Sequence, residues 1–265
     1  MRNKLYILIL GILTITAFSN AVYAQHTYFP TQGTITYEKT MFLKNLLKRY
    51  GDYSKEEQIK NHFYESAKAT PENVVFKKTL TFNNDEIRYD HVAEEYSDVV
   101  QGMMRMGVIE SGLNSYQNLK TKEFKSFFEL GGQGIQVQDS VINPKWKITN
   151  EYRNIAGYTC RRANGIVLDS IYVVAFYTDE IPVSGGPSCF RGLPGMILGL
   201  AVPELHYNMF ATKVDLTPVP FVDPALTKKK VKGLTRKSVY DQINSTVGSY
   251  LGEKIFNLVM AGYYL

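Results

Sequence analysis

The stretch from Gly185 to Leu200, Gly-Gly-Pro-Ser-Cys-Phe-Arg-Gly-Leu-Pro-Gly-Met-Ile-Leu-Gly-Leu, constrains the fold more than any other part of this 265-residue chain. Pro194 presets the φ that the second position of a β-turn needs, and Gly195 behind it tolerates the positive φ of a type II turn. Leu193 to Met196 is therefore predicted as a tight turn. Met196 to Leu200 is too short and too apolar for an exposed helix and is predicted as a buried strand.

The rest of the chain reads as strands with two helical interruptions. Gly33 to Lys39 alternates Ile35 and Tyr37 against Thr34, Thr36 and Glu38, a half-buried first strand. Phe42, Leu43, Leu46, Leu47 and Tyr50 then recur at spacings of three and four, with Gly51 as the stop. Ser54 and Glu57 form a capping box ahead of a second helix carrying Ile59, Phe63 and Ala67, so that 41–69 is a helical insertion. Val74 to Phe82 and Ile87 to His91 alternate around Asn83-Asn84-Asp85 as a hairpin. Residues 93–112 suit either a short helix or an apolar loop holding Met103, Met104 and Met106. From Tyr116, short alternating stretches broken at Gly131-Gly132 and Asn143-Pro144 form a meander. Tyr158 to Leu168 and Ile171 to Thr178 pair around Asp169-Ser170, and the second of these, apolar on both faces, is expected at the centre of the sheet. A proline-spaced basic tether runs from Pro218 to Arg236. Val239, Ile243, Val247, Leu251, Ile255 and Val259 then repeat every four residues across about 236–262, a helix weakened by Gly248 and Gly252.

Gly192-Leu193-Pro194-Gly195-Met196-Ile197 resembles the signature of the GLPGLI family of exported Bacteroidetes proteins, with Met196 where the family has Leu. Tyr177-Thr178-Asp179-Glu180-Ile181-Pro182, Gly186-Pro187, Phe190, Trp146 and Gly157-Tyr158-Thr159-Cys160 are similar to the family's flanks, whereas Phe176 departs from an expected Trp. The resemblance is dense from Trp146 to Leu200 and echoes loosely in Gly33 to Glu38. It implies an exported, β-rich protein, of a kind often encoded beside TonB-dependent outer-membrane receptors. It implies no established activity and no catalytic residue.

Export also follows from the residues. Arg2 and Lys4 precede an apolar run from Leu5 to Phe18, and Val22-Tyr23-Ala24 precedes a cut before Gln25, so 1–24 is expected to be a signal peptide. No Cys lies at the cleavage region to anchor a lipid, and no later stretch approaches the roughly 18 apolar residues of a membrane span. A soluble periplasmic protein, not an integral membrane protein, is expected. The portion after residue 24 keeps 28 basic and 25 acidic residues, a net charge of +3, too mild to argue for nucleic acid.

Cys160 and Cys189 are the only cysteines. In an oxidising compartment an even pair is expected as a disulfide, worth roughly 3 to 4 kcal/mol in the chain-entropy model. The rival is a reactive thiol, for which none of His26, His62, His91 and His206 stands out as a base. Clustered metal ligands and cofactor loops are missing from the sequence, and Gly131-Gly132-Gln133-Gly134 lacks the Lys of a phosphate loop. Met103, Met104 and Met106 are adaptable core rather than ligands of a soft ion. Asp179 and Glu180 beside Arg191 read as a strand-end turn with a solvated ion pair, ahead of an acid/base site. The turn itself, Arg191, Gly192, Leu193, Pro194, Gly195 and Met196, is the candidate interaction surface, because backbone needs explain Pro194 and Gly195 but not the apolar Leu193 and Met196.

The expected fold is α+β: one curved, mainly antiparallel sheet, an incomplete barrel, with the helical insertion and the C-terminal helix packed on it, all in a single domain from 25 to 265. The expected function is a non-catalytic periplasmic accessory or binding protein for a TonB-dependent receptor or export system. A carrier of an apolar ligand, lipid or peptide, is the alternative. A hydrolase using Cys160 or the Asp179/Glu180 pair comes third.

Overall fold

The computed structural model describes residues 29–110, 112–220 and 231–265. The expected signal peptide lies outside the described residues, as does part of the basic tether.

Twelve strands form one sheet in the order β12-β6-β5-β4-β3-β2-β1-β11-β10-β9-β8-β7, which does not close. The strands are β1 (Gln32–Met41), β2 (Val74–Asn83), β3 (Glu86–His91), β4 (Asn114–Asn118), β5 (Glu123–Leu130), β6 (Gln133–Ser140), β7 (Lys145–Ile155), β8 (Tyr158–Val167), β9 (Ile171–Thr178), β10 (Met196–Val202), β11 (Tyr207–Asp215) and β12 (Gly233–Leu234). Neighbours run antiparallel except β12 and β6. The helices are α1 (Leu43–Tyr53), α2 (Glu57–Ala69), α3 (Asp98–Arg105), α4 (Arg236–Ile243) and α5 (Glu253–Tyr264). The architecture is thus α+β, with a large, mainly antiparallel open sheet.

Alternation builds the core. Ile35, Tyr37, Lys39 and Met41 of β1 face the same buried side as Val74, Phe76, Lys78, Leu80 and Phe82 of β2. Leu43, Leu46, Leu47 and Tyr50 supply the apolar stripe of α1, and Phe128 of β5 packs on Tyr263 of α5 with ring centroids 4.6 Å apart. β10, buried on both faces except at Ala201, is the buried strand expected from its apolar run. It sits between β9 and β11. Tyr37 crosses the interior to donate its hydroxyl hydrogen to the Ile197 carbonyl at 2.6 Å.

Several local expectations are corrected. Glu56, not Ser54, is the N-cap of α2. Ser54 Oγ instead accepts from the Glu56 amide at 3.2 Å in a local turn, so no capping box forms. The 93–112 segment does contain a helix, α3. β9 is third from the β7 end of the sheet, and Tyr172 on its second face stays exposed, so an apolar second face did not mean a covered one. The C-terminal helix breaks where expected at Gly252 (φ 72°), while Gly248 ends a π-helical turn, Asn244–Gly248, rather than a break. A single helical turn, Ser249–Leu251, joins the two.

The connection from β9 to β10 positions the motif. The Gly185 carbonyl accepts from Ile197 of β10 at 2.9 Å, while a β-carbon on Gly185 would collide with Ile87 of β3 at 2.0 Å. Four strand steps separate β10 from β3, about 19 Å on a flat sheet. One loop residue touches both because the sheet curls around the loop.

Candidate functional site

Residues 181–195 fill the concave side of the sheet. Pro187 to Phe190 is a turn closed by the Phe190 amide donating to the Pro187 carbonyl at 3.1 Å, with Ser188 at φ 53°. Its Ser188 carbonyl accepts from Gln117 Nε2 and, at 3.3 Å, from Ser115 Oγ, both on β4. Trp146 of β7 donates its indole N–H to the Arg191 carbonyl at 2.8 Å. The loop that leads into the motif is thus tied both to β4 and to β7, the last strand of the sheet.

The type II turn is not formed as expected. The positive φ of 91° belongs to Gly192, and Gly195 is not among the positive-φ residues. Gly195 is required for space instead: a β-carbon there would lie 2.0 Å from the Thr178 carbonyl oxygen. Leu193 is 1 % exposed and Met196 fully buried, so neither is a docking knob. The turn shows solvent only Gly192, Pro194 and part of Arg191.

Cys160 and Cys189 are buried and free, and the disulfide expected from compartment and count is not present. The loop carries Cys189 toward β4, into the neighbourhood of Tyr207 and Arg236, whereas Cys160 stays on β8 near Glu180. Burial pushes the Cys160 thiol up to about 12 and the Cys189 thiol up to about 11, which leaves both protonated and poorly nucleophilic near neutrality. Asp179 and Glu180 are exposed at the end of β9, where Glu180 accepts from the Thr159 amide at 3.4 Å. Among the described residues neither pairs with Arg191, whose Nε and Nη1 are buried without a partner, so the expected ion pair is absent. The three methionines do not converge: Met103 is buried, Met104 half-buried and Met106 73 % exposed.

Three residues that the sequence reading passed over form the most highly charged point of the core. Glu110 bridges Lys39 Nζ at 2.9 Å and Lys78 Nζ at 2.6 Å, all three side chains being at most 3 % exposed. Lys39 also sits 4.1 Å above the Tyr207 ring, a cation–π contact. Burial would raise the Glu110 carboxyl, but the two ammonium groups hold it at about 2. Burial lowers Lys78 from its ordinary value despite Glu110. The signal was present, because both lysines fall on the buried parity of their strands. The gap beside them is only about 20 Å³, room for no more than a water, so this is a lock on the 106–110 segment rather than a reaction site. Tyr50 and Tyr263 hydroxyls hold the same segment, donating to the Val108 and Ile109 carbonyls at 3.4 and 3.3 Å.

The held segment forms one wall of an apolar groove. A cavity of about 710 Å³ lies between α1, α2 and α3, and another of about 350 Å³ lies between α1, Gly131 and the C-terminal helices. Phe63, Met106, Val108, Tyr250 and Leu251 line both, so the two are one groove. Met106 and Tyr250, 73 % and 75 % exposed, stand at its mouth with Val99 and Val247. The π-helical turn and the Gly252 break redirect the C-terminal helix there, placing Val247, Tyr250 and Leu251 toward α2 and α3. Gly102 leaves open space where a β-carbon would stand.

Residues 165–199 match a family described as "Protein of unknown function (Porph_ging)". The match runs from the last residues of β8 through β9 and the motif loop into β10. Two solved structures of PNGF-II, in C2 and P21 space groups, each align over 80 % of this chain at 16 % identity with a TM-score of 0.49. The chain spans about a third of their length, 32 % and 33 %. No curated protein matches the chain. Among the described residues no helix is long and apolar enough to cross a membrane.

Proposed function

We propose that the protein is an exported, periplasmic binding protein whose helix-lined groove takes up an unbranched acyl chain. The observation that carries this reading is the continuous apolar groove, with two large hydrophobic side chains three-quarters exposed at its mouth. Exposed apolar patches of this kind mark binding surfaces. An acyl chain suits the lining because the wall is almost wholly apolar, its few polar side chains are Gln58, His62, Ser66, Thr70 and Asp98, and two methionines adapt to a flexible guest. Carriage is favoured over hydrolysis because burial keeps both thiols protonated.

The test is native mass spectrometry of protein isolated from the cell envelope, alongside Gly102→Trp, which fills the groove from α3. Lipid-mass adducts on the wild type that are absent from the variant are expected. An adduct-free wild type that also fails to bind a fluorescent fatty acid overturns the reading.

Accessory service to a TonB-dependent outer-membrane receptor is the second reading. It is supported by the six residues Gly192 to Ile197, through their likeness to the GLPGLI signature. Crosslinking in cells that captures such a receptor favours it.

A further inference from the structure

A second cavity, of about 430 Å³, opens on a different face of α5 from the groove. Lys254, Asn257, Leu258 and Ala261, spaced three and four apart, line it. Tyr53, Glu204, Ser170 and Tyr240 complete its polar wall. The volume is that of an ordinary small-molecule site.

The polar groups of this cavity are already sorted by their neighbours. Glu204, the only carboxylate in the lining among the described residues, accepts from the Tyr53 hydroxyl and pairs with Arg49 Nη1 at 3.2 Å, so its charge is neutralised. The Asn257 carbonyl oxygen accepts from the Tyr240 hydroxyl at 2.6 Å, which turns the amide's N–H₂ into the group left to offer. Lys254 lies 5.6 Å from the centre of the Tyr53 ring and, among the described residues, forms no ion pair. What remains for a guest is an ammonium, an amide N–H₂ and the Ser170 hydroxyl, over a floor that includes Leu168, Leu258, Met260 and Ala261.

We infer that this cavity binds a small carboxylate with an apolar body. The carboxylate faces Lys254 and takes hydrogen bonds from Asn257 and Ser170, and the aliphatic body lies on the apolar floor. Donors outnumber free acceptors and the lining carries one uncompensated positive charge, so an anion is favoured over a neutral or cationic guest. Met260 is the one described residue that lines both this cavity and the groove, and failure of the cavity to bind would leave the groove reading untouched.

Isothermal titration of the full chain carrying Gly102→Trp, which fills the groove so that only this cavity is read, with octanoate and with 1-octanol as the uncharged analogue, tests the inference. Octanoate is expected to bind with one-to-one stoichiometry and to weaken as ionic strength rises. Lys254→Gln, at an exposed position, is expected to weaken octanoate about tenfold or more, the scale of one charge-assisted contact. It should leave 1-octanol unaffected. Ser170→Trp, which fills the mouth from the β8–β9 connection, should abolish octanoate binding in that background. Absence of octanoate binding in the Gly102→Trp chain, or equal binding after Lys254→Gln in that background, overturns it.

Discussion

The Thr178 carbonyl oxygen occupies the place of a β-carbon on Gly195, 2.0 Å from where that atom would stand. β9 and β10 pair through Thr178 and Met196, so any side chain at 195 forces the two strands apart at the start of their ladder. Gly195→Ala is expected to destabilise the fold by about 1 to 3 kcal/mol, the usual cost of overpacking, read as a shifted urea midpoint. Gly192→Ala meets nothing nearer than Trp146 Nε1 at 3.6 Å and suffers only from its φ of 91°. It should cost about 1 kcal/mol. Equal losses at the two positions would show that conformation, not space, selects the glycine at 195.

The buried Lys39–Glu110–Lys78 bridge makes a second prediction. Glu110→Gln leaves two ammonium groups in the core without a counter-charge and should cost about 3 to 5 kcal/mol in chemical denaturation. The triple replacement Lys39→Met, Glu110→Leu, Lys78→Met removes all three charges together and should recover most of that loss. A triple variant no more stable than Glu110→Gln alone would mean that the charges hold the 106–110 segment in a way that apolar packing cannot replace.

The sheet, the αα-hairpin and the broken C-terminal helix were legible because their signals are local: period two in β1 and β2, period near four in α1, glycine at 252. The site was less legible because its determinants are distant in sequence. Gly195 looks like a turn glycine until Thr178 is brought beside it, and Leu193 looks like an exposed turn residue until the curl of the sheet encloses the loop. Lys39 and Lys78 were readable as buried from strand parity, but Glu110, which makes their burial tolerable, lies in an irregular segment with no periodicity. The groove arises where helices from 43–69, 98–105 and 236–264 meet, and no single stretch of sequence carries it.

The cysteines give a third prediction, opposite to the one drawn from compartment and count. With both thiols free and buried, the thermal midpoint should be the same with and without a reductant, and two thiols should titrate after unfolding. A midpoint lowered by reductant would show that a bridge forms.

Protonation of His91 supplies a fourth. Burial, with Lys78 and Lys39 adding repulsion that Glu110 and Glu94 offset only in part, lowers its pKa from 6.5 to about 4. Phe76 and Tyr96 flank the ring, and Nδ1 is buried without a hydrogen-bond partner among the described residues. Between pH 6.5 and 4 the unfolded chain therefore binds a proton that the folded chain resists, so stability should fall as the pH is lowered through that window. It should be unaffected by this group above pH 6.5. Glu110, held at about 2, stays ionised throughout and adds its own loss only as the pH falls from the ordinary carboxylate range toward 2. His91→Gln should flatten the fall between pH 6.5 and 4 while leaving the steeper acid limb in place. Imidazole proton shifts followed by NMR check the cause directly: a His91 titration midpoint near 6.5 would remove it, and one near 4 ties the loss of stability to this ring.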